Sequence, residues 1–190
     1  MTSAIEALVQ ADQQLFLALN GLHTPWADRI MEFFTYKFTW IPMYLFLIYV
    51  LVREFRKQSI GILLTIIAAI GLADQIASGL FKPYFARLRP CHDPEIGSLV
   101  HVVDGCGGQY GFVSSHAATA FALALSVQVL TGGRLKGAGW LYLWAVIYSF
   151  SRIYVGVHYP ADITVGALVG ILSGAVCILI YKNVLQQKLS

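Results

Sequence analysis

Three polar clusters stand out from an otherwise apolar chain: Lys82, Arg89 and Pro90; Ser114, Ser115 and His116; and Ser151, Arg152, His158 and Asp162. Lys82 and Arg89 are seven residues apart, two turns on one face of a continuous helix, although Pro83 and Pro90 make that helix imperfect. Two cations on a shared face suit an anion with several oxygens, the guanidinium as a planar fork of donors and the ammonium as a point charge. Pro90 then stops the helix. Ser114 precedes a long apolar run and reads as an N-cap, so the N–H groups of Ser115 and His116 point outward at the positive end of a helix, ready for an anion. His116 can there protonate a departing alkoxide. By itself this block is better read as an ordinary capping serine followed by a hydrogen-bonded histidine. His158 and Asp162 lie about one helical turn apart, so the carboxylate can fix the tautomer that exposes the other nitrogen's lone pair. With Arg152 as clamp, this is the arrangement of nucleophile, orienter and anion holder, the attacking atom being a histidine nitrogen. Pro160 starts the helix that carries Asp162 in its first turn. By itself a His-x-x-x-Asp pair is more often a structural hydrogen bond.

These residues need elements to hold them, and the composition says which kind. Of 190 residues 57% are hydrophobic and 12% charged, about half the charge of an ordinary soluble domain, and mean hydropathy is +0.67. The reading is an all-α integral membrane bundle, a single membrane-embedded domain over 1–190, with five or six transmembrane helices. Apolar stretches at 38–53, 59–81, 115–131, 139–156 and 162–181 supply five crossings. Residues 4–19 read as an interfacial amphipathic helix with Ile5, Leu8, Val9, Leu15, Phe16 and Leu19 on one face, although Asp12 falls there too. A sixth crossing from this segment is the alternative. No basic stretch precedes the first apolar run, so a cleaved signal peptide is not expected.

Arg53, Arg56 and Lys57, then Arg134 and Lys136, then Lys182 and Lys188 fall on one side of a five-crossing bundle, which the positive-inside rule makes cytoplasmic. Arg29 and Lys37 fall on the other side. All three polar clusters also face outward, against that rule. Lys82, Arg87, Arg89 and Arg152 could each simply snorkel from a helix end, but grouped with histidines they point to chemistry.

Taken in order, the clusters resemble the signature of the type 2 phosphatidic acid phosphatase family: Lys-x6-Arg-Pro, Pro-Ser-Gly-His and Ser-Arg-x5-His-x3-Asp. The first and third blocks match in full, as Lys82 to Pro90 and Ser151 to Asp162. In the second, Val113 stands where the family has proline and Ser115 where it has glycine. The resemblance implies a membrane lipid phosphatase in which His158, oriented by Asp162, attacks phosphorus and His116 protonates the leaving oxygen. Lys82, Arg89, Arg152, Ser114 and the Ser115 N–H would hold the phosphate oxygens. It implies no metal or other cofactor. The substrate would be a phosphorylated membrane lipid: undecaprenyl diphosphate, phosphatidylglycerol phosphate, phosphatidic acid or a lipid A phosphate. The expected location is a bacterial inner membrane, with the site facing the periplasm or exterior. A lipid phosphotransferase and a non-enzymatic lipid carrier or flippase are the competing readings.

Other residues carry smaller expectations. Cys91 and Cys106 lie in the outer loop and can form a disulfide, while Cys177 sits in the last span as packing. Asp74, inside an apolar stretch, calls for a partner such as Lys82, Arg87 or a polar neighbour. His92, Asp93 and His101 are the metal candidates near the site and read better as solvated loop residues. Trp26, Trp40, Tyr154 and Tyr159 could form an interfacial belt. A net charge of +3, divided between two faces, gives little support to a nucleic acid partner.

Overall fold

A computed structural model describes residues 2–189, with side chains for 3–184. Each of the five apolar stretches is helical. The chain begins with α1 (Thr2–Asn20) and α2 (Pro25–Thr35). Thr24 caps α2 by accepting the Ala27 N–H at 3.4 Å, with Pro25 in the first turn and Asp28 at the positive end of the dipole. A 3-10 turn then leads into α3 (Ile41–Phe55), followed by α4 (Gln58–Asp74), which continues through a π-helical stretch, Gln75–Phe81, into the short α5 (Lys82–Phe85). Beyond an outer loop come α6 (Ser115–Leu130), α7 (Trp140–Tyr154) and α8 (Pro160–Leu189). Three helical segments are long and apolar enough to cross a bilayer: Lys37–Phe55, Gln58–Phe85 and Pro160–Val184. α6 and α7, with 16 and 15 residues, are shorter.

The bundle is built around α6, which packs on α4, α7 and α8. Its alanines 117, 118, 120, 122 and 124 are buried. α8 answers them with Gly166, Gly170 and Gly174, one every four residues. A Cβ at Gly166 would come 2.6 Å from the Ser114 carbonyl, and one at Gly170 would run into the Ala118 carbonyl. Small residues on facing helices let the backbones approach, the packing that works where lipid removes the hydrophobic drive for association.

α1 turns its polar residues to the protein. Phe16 and Asn20 are buried and Asp12 faces the protein, whereas Ile5, Leu8 and Leu15 are exposed. The polar residues decide this orientation. Asn20 donates to the Tyr154 carbonyl at 2.7 Å and accepts from the His101 N–H at 2.8 Å, and Asp12 has partners at the site. In an apolar environment polar groups turn toward the protein that can satisfy them.

Two expectations change. Lys82 and Arg89 do not share a continuous helix, because α5 ends at Phe85 and Ala86 adopts the left-handed conformation at φ 45°. Tyr154 and Tyr159 are core residues, 4% and 1% exposed, with their hydroxyls on Asp28 and Asp93 at 2.7 Å each. Trp26 is exposed and Trp40 half-buried.

Candidate active site

The site lies where the N-termini of α6 and α8, the C-terminus of α7 and the outer loop meet. α7 ends at Tyr154, and Gly156, at φ 86°, supplies the left-handed turn that follows. The N–H groups of Val157 and His158 fold back onto the Arg152 carbonyl at 3.1 and 3.2 Å. That turn places His158 directly before α8. The Ser114 N–H donates to the Asp162 carbonyl at 3.0 Å, joining the starts of α6 and α8.

His158 and Asp162 are 1% and 0% exposed. His158 Nδ1 lies 3.2 Å from Asp162 Oδ2, which also accepts the Tyr159 N–H at 3.0 Å. With Nδ1 donating to the carboxylate, Nε2 keeps its lone pair. Burial holds the imidazole well below its ordinary pKa, and the cations Arg152, Arg89, Lys82 and Arg87 push the same way. His158 is therefore neutral at physiological pH, the form that can attack.

The cations have separate anchors. Arg89 Nη1 donates to the Cys106 carbonyl at 2.7 Å and its Nε to the Tyr110 carbonyl at 3.3 Å, so the outer loop aims it. That loop is tied by the Cys91–Cys106 disulfide, Cα–Cα 6.0 Å. Arg152 Nη1 donates to Thr35 Oγ1 of α2 at 2.6 Å. Among the described residues, Arg152 Nε and Ser114 Oγ are buried without a partner, as are Ser126 Oγ, Ser149 Oγ and Ser173 Oγ elsewhere in the helices. Ser114 occupies the N-cap position of α6 but its hydroxyl makes no capping bond. His116 packs its ring against Tyr148, centroids 5.3 Å apart.

Several neighbours were not legible from the motifs. Gly111 is so close to His158 and Asp162 that a Cβ there would lie 3.0 Å from Asp162 Oδ2 and 3.5 Å from His158 Nδ1. Arg87 bonds Asp162 Oδ1 at 3.1 Å and Asp12 Oδ2 at 2.7 Å. Thr35, Asp12 and Gly111 lie outside the three blocks, and no spacing rule connects them to it. Asp74 accepts from Ser78 Oγ at 3.3 Å, a polar neighbour on the next turn.

The metal candidates are otherwise engaged. Asp93 accepts from the Tyr159 hydroxyl and from Gln13, and His101 Nε2 lies 3.1 Å from Asp28. His92 is exposed beside Cys91 and Cys106, whose sulfurs bond each other and so offer no thiolates.

A profile described as PAP2 superfamily matches residues 58–186, which include every block of the site. The chain belongs to the PAP2 superfamily. Across 174 residues it is 40% identical to a lipid A 4'-phosphatase of Bacteroides thetaiotaomicron, covering 90% of this chain and 76% of that protein. It is 30% identical over 166 residues to the undecaprenyl-diphosphatase BcrC of Bacillus subtilis, covering 85% of this chain and 79% of the relative. The crystal structure of Aquifex aeolicus LpxE superposes with a TM-score of 0.68 at 28% identity, covering 87% of this chain and 93% of the other. This PAP2 protein is an integral membrane lipid phosphatase.

Proposed function

We propose that this PAP2 enzyme removes a phosphomonoester from a lipid A-type glycolipid through a phosphohistidine on His158, at the extracytoplasmic face of a five-crossing inner-membrane domain. The carrying observation is the buried His158–Asp162 pair, 3.2 Å apart and faced by four cationic side chains. The 40% identity to a lipid A 4'-phosphatase over 90% of the chain supports the choice of lipid. An apolar cavity of about 350 Å³ supports a lipid tail, since it is lined by Tyr148, which packs on His116, together with Thr119, Leu63 and Leu123.

In the first step the His158 Nε2 lone pair attacks phosphorus, the P–O ester bond breaks, and the departing oxygen takes a proton from His116. In the second, His116 removes a proton from water, whose oxygen attacks phosphorus as the P–N bond breaks, returning His158 and releasing phosphate. Lys82, Arg89 and Arg152, with Ser114 Oγ and the Ser115 N–H, hold the equatorial oxygens. Such positioned cations supply the main stabilisation in phosphoryl transfer. Side chains and the Ser115 N–H carry the whole reaction, with no metal.

The test is phosphate release in detergent from lipid A carrying its 4'-phosphate, beside undecaprenyl diphosphate, phosphatidic acid and phosphatidylglycerol phosphate, with and without EDTA. Fastest release from lipid A, insensitive to EDTA and absent in His158→Ala, is expected. Faster release from undecaprenyl diphosphate would overturn the substrate assignment. Phosphate appearing on an acceptor lipid instead of in solution would make the enzyme a transferase, and loss of activity with EDTA would contradict the metal-independent mechanism.

A further inference from the structure

We infer that Arg87 and Asp12 are positioning residues for the nucleophile, so that α1 forms part of the catalytic machinery. The inference rests on His158 being that nucleophile. Asp162 is fully buried, and its two oxygens are divided between partners: Oδ2 takes His158 Nδ1 and the Tyr159 N–H, while Oδ1 takes Arg87 Nη1. A buried carboxylate facing a neutral imidazole needs a compensating charge, and Arg87 supplies it by direct contact.

Arg87 is in turn held from both sides. Its Nη2 donates to Asp12 Oδ2 at 2.7 Å, and its guanidinium lies 4.0 Å from the Tyr159 ring centroid. Asp12 uses its second oxygen to accept the Ala161 N–H in the first turn of α8 at 2.9 Å. One carboxylate of α1 therefore fixes both the arginine that grips Asp162 and the helix end that carries Asp162. A second tether runs parallel, with Gln13 Nε2 and the Tyr159 hydroxyl both donating to Asp93 at 3.3 and 2.7 Å. Phe16 packs edge-on against Tyr159 at 5.4 Å. The Arg87 fork suits this task because its two terminal nitrogens reach two carboxylates at once, which a lysine ammonium on a flexible stem does less well.

A catalytic positioning role and a merely stabilising one predict different kinetics. Neither Arg87 nor Asp12 is assigned to the phosphate, so loosening them should disturb the direction of His158 Nε2 and leave substrate affinity alone. The experiment measures kcat, KM and the inhibition constant of inorganic phosphate for wild type, Asp12→Asn, Arg87→Gln, Arg87→Lys and His158→Ala, with lipid A 4'-phosphate as substrate and thermal unfolding as the check on folding. Asp12→Asn and Arg87→Gln are expected to lower kcat about 10- to 100-fold, the worth of one charge-assisted hydrogen bond. KM and phosphate inhibition should stay within about twofold, with Arg87→Lys falling between wild type and Arg87→Gln.

A folded Asp12→Asn or Arg87→Gln with wild-type kcat, or a loss confined to KM, would overturn the inference. If either of those variants is not recovered folded, Arg87→Lys decides: reduced kcat at unchanged KM supports the inference and wild-type kcat overturns it. The His158 reading is tested separately in the same series. Turnover by His158→Ala would remove that reading and the inference with it, whereas an inactive His158→Ala beside a fully active Asp12→Asn would remove the inference alone.

Discussion

Replacing Gly111 by alanine tests whether the His158–Asp162 geometry controls the rate. Gly111 is buried, and its N–H donates to the Arg87 carbonyl at 2.9 Å, which holds its backbone in place. An added Cβ would stand 3.0 Å from Asp162 Oδ2, 3.3 Å from Arg89 Cγ and 3.5 Å from His158 Nδ1. The first two of these are tighter than ordinary van der Waals contact, so Oδ2 and Arg89 Cγ must each retreat by a few tenths of an ångström. The bond that Oδ2 makes to His158 Nδ1 is already 3.2 Å long, and that retreat takes it to the limit of hydrogen bonding. Losing a hydrogen bond to a charged group is worth about 1.5–3 kcal/mol, or about 10- to 150-fold in rate if the bond is needed in the transition state. Steady-state phosphate release should therefore show kcat down by that factor, with unfolding within a few degrees of wild type. A folded Gly111→Ala enzyme turning over at the wild-type rate would refute the claim that this contact limits catalysis.

Other perturbations have expected outcomes of their own. Cys91→Ser with Cys106→Ser frees a loop whose closure is worth about 3 kcal/mol by the chain-entropy estimate, and it loosens the Cys106 carbonyl that holds Arg89. Both thermal stability and phosphate affinity should fall, read by unfolding and by inorganic phosphate inhibition. Leu63→Trp would fill part of the apolar cavity, raising KM for a long-chain lipid phosphate while leaving hydrolysis of p-nitrophenyl phosphate unchanged. For Asp93, burial alone would raise the carboxyl, but hydrogen bonds from the Tyr159 hydroxyl, the Glu95 N–H and Gln13 outweigh it and hold it below its ordinary 3.8. A depressed folded pKa means that the unfolded chain binds the proton first, so this stabilisation is present above about pH 4 and lost as pH falls further. Melting temperature should drop more steeply for wild type than for Asp93→Asn below that point.

The pairing of His158 with Asp162 and the place of Ser114 ahead of α6 were legible because each depends on short spacing along the chain. His158 and Asp162 must be one turn apart for a carboxylate to reach an imidazole, and Ser114 must precede α6 to leave its N–H groups free. The five helical stretches were equally readable, since apolar length is the dominant signal in a membrane chain. What could not be read was whatever depends on contacts between distant segments. Thr35 is 117 residues from Arg152 and Asp12 is 75 from Arg87, and neither has a local pattern to betray it. The side that α1 turns to the protein was not readable either, because Asp12 and Asn20 set it through contacts with Arg87, Ala161, His101 and Tyr154. The shared helical face proposed for Lys82 and Arg89 failed at Ala86, where a left-handed residue with no glycine or asparagine to announce it ends the helix.

In the proposed mechanism phosphorus becomes bonded to His158. Wild-type enzyme mixed with lipid phosphate labelled in the transferable group, quenched in alkali within one turnover and digested, should yield a phosphoryl group on the peptide containing His158, stable to base and released by acid. No such adduct should form in His158→Ala. Label on another residue, or full turnover by His158→Ala, would contradict the account.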